Sequence, residues 1–109
     1  MKTLISALAM ALLTGSSFIA YAADEAAAEA LMKKSGCFKC HSVDKKKDGP
    51  AYHDVAAKLK DKPDAEQILY KHLTTHPTIK VDGKEEKHES LKTTDDAQIK
   101  NVIGWILSR

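Results

Sequence analysis

Cys37-Phe38-Lys39-Cys40-His41 is the stretch that decides how this chain of 109 residues is read. Thiols at the two ends of one turn of chain point the same way, and the imidazole that follows at once is a good iron ligand. In an exported protein this is the attachment pattern of a c-type haem. The thiols add to the two vinyl groups on one porphyrin edge, and His41 swings under the ring to reach the iron. A structural disulfide, half of a zinc site and a thioredoxin-like redox pair are the competing uses of two cysteines. The sequence has no second cysteine pair to complete a zinc site, and it lacks the βαβ setting of a thioredoxin. The pattern therefore predicts one haem c, attached covalently through Cys37 and Cys40.

The opening residues supply the export that this chemistry needs. Lys2 gives a short basic start, and Leu4 to Leu13 is an apolar run interrupted only by Ser6. Gly15, Ser16 and Ser17 break it, and Ala20-Tyr21-Ala22 offers small residues where a signal peptidase reads them. Residues 1–22 are thus expected to be a cleaved secretory signal peptide, and residues 23–109 one small periplasmic domain without stable membrane insertion. The alternative is an uncleaved anchor, because Phe18 to Ala23 prolongs the apolar stretch.

Composition narrows the function. The formal charge of the whole chain is +2, and loss of a leader carrying only Lys2 lowers it to +1, which makes nucleic acid an unsuitable partner. So short a domain buries little apolar surface of its own, and beyond residue 22 it holds one Trp and one Phe, Trp105 and Phe38. A covalently held macrocycle makes up that deficit.

Periodicity predicts helices and no strand. Asp24 and Glu25 open a helix that runs through the alanines to Leu31 and Met32, with Gly36 as its stop. Tyr52, Val55, Ala56 and Leu59 recur at helical spacing after the Gly49-Pro50 turn signal. Asp64 with Gln67 reads as a capping box before a third helix carrying Ile68, Leu69 and Leu73. From Thr74 to Lys92 the pattern dissolves into a long polar loop. Thr94 then caps a last helix, whose stripe is Ile99, Val102, Ile103, Ile106 and Leu107.

A helix ending at Cys-x-x-Cys-His, a Gly-Pro shortly after it and a final amphipathic helix with an aromatic residue resemble the small bacterial class I monohaem cytochromes c. Lys33-Lys34-Ser35-Gly36, Gly49-Pro50-Ala51-Tyr52, Asp54-Val55-Ala56-Ala57-Lys58 and Trp105-Ile106-Leu107-Ser108 carry the resemblance, which spans residues 23–109. It implies an all-α fold of about four short helices wrapped around one haem, with the first and last helices crossing at its edge. It also implies that the Pro50 carbonyl accepts the Nδ1 hydrogen of His41, and that His72 approaches a haem propionate.

One departure decides the distal side. Most members of that family bind the iron's sixth position through a methionine before the last helix, and this chain has none after Met32, which reads as core. His53, His72, His76 and His88 remain. His53 lies off the stripe of its helix, and His72 ends a helix whose dipole suits a cation. His76 precedes Pro77, which restricts it to extended backbone. His88 stands nearly where the family's methionine lies relative to the C-terminal aromatic residue and is the expected ligand, with His76 or an open site as alternatives.

The expected function is electron transfer by a periplasmic monomer with His41 and His88 as axial ligands and a lowered potential. Lys33, Lys34, Lys39 and Lys45 to Lys47 crowd the haem motif and suit an acidic redox partner protein. The rival is a haem sensor whose vacant or weakly held sixth site admits carbon monoxide, nitric oxide or oxygen. No acid and base pair points to an enzyme.

Overall fold

The computed structural model describes residues 23–109, so the expected signal peptide lies outside the described residues. Four helices follow in order: α1 Glu25–Lys34, α2 Tyr52–Leu59, α3 Ala65–Thr74 and α4 Asp96–Leu107. Between α3 and α4 a hairpin pairs β1 Thr78–Val81 with β2 Lys84–Lys87. Among the described residues no helix is long and apolar enough to cross a membrane.

The side chain of Asp24 caps α1 by accepting from the Ala27 amide at 3.1 Å, with Glu25 in the first turn and Lys33 and Lys34 in the last. That charge order complements the helix dipole. Gly36 ends the helix at φ 78°, a left-handed conformation that costs glycine nothing, and its amide returns to the Lys33 carbonyl. The chain is thereby turned at once into the single tight turn Cys37–Lys39.

Helix α4 is the hub, packing on α1, α2 and α3. Trp105, Met32, Ile106 and Val102 are the largest fully buried side chains. Where α1 meets α4, Ala28 and Met32 face the crossing, while Leu31 packs only partly buried at its margin. Asp24 and Asn101 lock the crossing reciprocally: the Asp24 amide donates to Asn101 Oδ1 at 2.7 Å, and Asn101 Nδ2 donates to the Asp24 carbonyl at 2.9 Å.

Several expectations need correction. The four short helices are as expected, and the small two-stranded hairpin corrects only the expectation of no strand and of an open loop from Thr74 to Lys92. Asp82 and Gly83 take φ 51° and 77°, the paired left-handed geometry of a tight hairpin turn, which sets Lys80 opposite Glu85 and Val81 opposite Lys84. Asp95, not Thr94, caps α4, accepting from the Gln98 amide at 2.9 Å. Asp64 stands at the start of α3, but its side chain makes no capping bond. Ile68 lies on the outer face of α3, 38% exposed, while Leu69 and Leu73 face inward. His76 has φ 47° rather than extended backbone, held by its amide bond to Ser90 Oγ at 3.2 Å.

Candidate haem-binding site

The proximal wall is built by the turn that follows Gly36. The amides of Cys40 and His41 both return to the Cys37 carbonyl, at 3.2 and 3.0 Å, which fixes the two cysteines and the imidazole as one unit. Cys37 is half-buried and Cys40 exposed, and the two are not joined in a disulfide. Burial pushes the Cys37 thiol up, opposed by the neighbouring Tyr52 hydroxyl. Lys47, itself exposed, ties the next loop to this unit by donating its Nζ to the Phe38 carbonyl at 2.9 Å.

His41 Nδ1 lies 2.7 Å from the Pro50 carbonyl. A carbonyl only accepts, so Nδ1 carries the proton and Nε2 keeps its lone pair for a metal. Gly49 gives the ring its room, and Tyr52 stacks on it with centroids 4.8 Å apart and planes 24° apart. Behind Tyr52 stands Trp105, edge-on at 5.4 Å, with Phe38 edge-on to both at 6.1 Å.

The hairpin delivers the opposite wall. The His88 amide donates to the Pro77 carbonyl at 2.8 Å, closing the hairpin base directly after β2. Leu91 is buried, and its amide bonds the Leu73 carbonyl at 2.9 Å, while the Lys92 amide reaches Ser35 Oγ at 2.9 Å. His88 thereby faces His41 with ring centroids 6.1 Å apart and planes tilted by 60°. Two imidazoles that share one metal at about 2 Å each hold their centroids about 6 Å apart, so the spacing admits one iron between them.

Among the described residues no group of three or more His, Cys, Asp or Glu side chains is placed to hold a bare metal ion. A porphyrin needs only the two axial donors from the protein, which is what this pair can provide. Burial, then His72 and His41, pushes His88 down to about 4, so its ring is neutral near pH 7. Burial likewise pushes His72 down. His88 Nδ1 and Trp105 Nε1 are buried without a hydrogen-bond partner among the described residues.

The structure thus gathers Cys37, Cys40, His41, Pro50 and His88 and leaves His53 and His76 exposed. Three contributors escaped the sequence reading: Gly49, Tyr52 and the contact of His72 with His88, whose ring centroids are 4.2 Å apart. The spacing of His72, one turn after the buried Leu69, was the available signal for the last.

A helical shell converging on Cys-x-x-Cys-His defines a class I cytochrome c, and the chain belongs to that family: the model described as Cytochrome c matches residues 25–109. It is a small monohaem electron-transfer protein and not an enzyme, with one haem c held through Cys37 and Cys40.

Cytochrome c-551 of Pseudomonas aeruginosa is 36% identical over 81 residues, covering 74% of this chain and 75% of the relative. Cytochrome c-552 of Hydrogenobacter thermophilus is 35% identical over 89 residues, covering 73% and 79%. Among solved structures, the class 1 cytochrome MtoD of Sideroxydans lithotrophicus ES-1 is similar at 46% identity and a TM-score of 0.76, covering 80% of this chain and 97% of that one. Cytochrome c552 of Nitrosomonas europaea gives 32% identity and a TM-score of 0.57, covering 73% and 96%.

Proposed function

We propose that the protein is a periplasmic electron carrier whose haem iron is held by His41 Nε2 on one side and by His88 on the other. The observation that carries the reading is the opposition of the two imidazoles at 6.1 Å. Sequence supports it from the other direction, since no methionine follows Met32. Imidazole in place of a thioether removes the ligand that favours ferrous iron, so the potential is lower than in relatives ligated by His and Met.

The chain itself positions and tunes, while the bound haem supplies the one-electron redox change. Pro50 accepts the His41 proton and raises the basicity of that ring. Tyr52, Trp105 and Phe38 wall the proximal side with apolar surface. Lys33, Lys34, Lys39, Lys45 and Lys46 are exposed around the haem motif and offer a cationic face to an acidic redox partner protein. Electron exchange with such a partner should therefore slow as ionic strength rises.

Optical and magnetic-resonance spectra of the holoprotein test the ligand reading. Low-spin iron in both oxidation states, no band near the red end from sulfur ligation and slow or absent binding of carbon monoxide are expected. His88→Ala should give high-spin or water-ligated iron that takes up carbon monoxide, while His53→Ala and His76→Ala should leave the spectra unchanged. Wild-type iron that is already high spin and binds carbon monoxide would replace the carrier by the sensor reading. A spectral change on His76→Ala would keep the carrier and move the ligand.

A further inference from the structure

The two walls of the site hold their imidazoles by different means. His41 is oriented twice, by the Pro50 carbonyl on Nδ1 and by the stacked Tyr52 ring. His88 has neither device. Its Nδ1 is buried with no hydrogen-bond partner of good geometry among the described residues, although the adjacent Glu89 backbone lies near enough to act on the ring, and its backbone amide is pinned to the Pro77 carbonyl. A pinned amide fixes the start of the side chain but not the rotation of the ring about its last bond, which is a broad and soft torsion. Metal-bound imidazoles ordinarily have that rotation set by a hydrogen bond from the second nitrogen. A ring contact can set it here, and besides His41 the aromatic ring packed against His88 is that of a second histidine, His72.

We propose that His72 is a positioning residue for the distal ligand, holding the plane of the His88 imidazole by ring contact and keeping the ring on the iron. This rests on His88 being the sixth ligand. The ring centroids of His72 and His88 lie 4.2 Å apart with planes at 54°, which is van der Waals contact in a tilted arrangement. His72 suits the task because it stands on the last turn of α3, a rigid element anchored in the core by Ala65, Leu69 and Leu73. His88, by contrast, follows β2, all four of whose residues are exposed. A ligand arriving from an exposed hairpin is thus steadied by a side chain from the core.

The two walls together set the tilt of 60° between His41 and His88, because neither ring turns without losing its neighbour. Without His72 the distal ring samples more orientations, and the small population in which His88 is off the iron grows. An external ligand that waits for that population binds faster in proportion to it.

The test uses the holoprotein with His72→Ala and His72→Phe, the second keeping an aromatic ring in place. Low-temperature electron paramagnetic resonance of the ferric form reports the mutual orientation of the axial rings, and the rate of cyanide binding reports how often the sixth site is free. His72→Ala should shift and broaden the low-spin signal and speed cyanide binding by about tenfold, as a tenfold rise in the off-iron population requires. His72→Phe should return both readouts toward wild type.

Wild-type signals and rates in His72→Ala would overturn the proposal, and so would equal effects of the two variants. A change confined to the pH dependence of the midpoint potential would also overturn it, by assigning His72 to the charge of a haem propionate. High-spin wild-type iron is the separate result that defeats the ligand reading itself.

Discussion

A Cβ built on Gly49 would fall 2.5 Å from Cε1 and 2.8 Å from Nδ1 of His41, so the proximal imidazole occupies the space that any other residue at 49 would need. Those neighbouring atoms belong to a ring held by Pro50 and Tyr52, so it can yield only by giving up those contacts. Gly49→Ala should destabilise the holoprotein by about 1–3 kcal/mol in urea unfolding, as overpacking does. An unchanged urea midpoint would mean that the ring and backbone separate freely.

Trp105 is 1% exposed and joins Tyr52 and Phe38 behind the His41 ring. Trp105→Ala should cost about 3–5 kcal/mol, the range for a large aromatic side chain removed from a core. Denaturant unfolding measures it. A loss under about 1 kcal/mol would place the ring outside the packed core.

The cap of the last helix separates two neighbouring residues cleanly. Asp95 accepts from the Gln98 amide, and Thr94 is exposed. Asp95→Ala should cost about 1 kcal/mol. Thr94→Ala should stay within about 0.5 kcal/mol, as surface changes do. Thermal unfolding of the two variants side by side decides between them, and the reverse order would restore Thr94 as the cap.

At the hairpin tip Gly83 has φ 77° and open space around its Cβ position, so only backbone strain opposes a side chain there. Gly83→Val should cost about 1–2 kcal/mol locally, and Gly83→Asn less. Because the His88 amide closes the hairpin base, its hydrogen exchange should quicken in Gly83→Val. Equal exchange rates in the two variants would show that the tip and the ligand are uncoupled.

On the exposed face of α4, Lys100 at 3.1 Å, with the Tyr70 hydroxyl second, holds the Asp96 carboxyl below the usual range. Stabilisation from a lowered carboxylate is present above the ordinary aspartate value and fades as pH falls through the lowered one. Asp96→Asn should flatten that acid limb slightly, and added salt should flatten it too, since the pair is exposed. An acid limb unaltered by either change would show that the pair contributes nothing.

How much of this was legible depended on whether chemistry or packing set the signal. Cys37, Cys40 and His41 carry a reaction in their spacing, so they read directly, and Pro50 followed from resemblance. The α4 stripe announced burial through periodicity, and Met32 through its place on the helix that abuts the motif. The hairpin was harder to read, because Lys84-Glu85-Glu86-Lys87 has no apolar residue to alternate, leaving Asp82-Gly83 and the short alternation of Ile79 and Val81 as its marks. The cap moved from Thr94 to Asp95 because both side chains suit the role and differ by one position. Tyr52 and His72 act through contacts across elements, which no local pattern records.

Ser35 Oγ receives the Lys92 amide from 57 residues away, one step after the Leu91 amide has docked on α3. Two consecutive backbone groups thus fasten the arm that carries His88 to two helices at once, Leu91 to the end of α3 and Lys92 to the cap of α1, just before the attachment motif. The position of His88 is therefore tied to the separation of α1 and α3, and not to the hairpin alone.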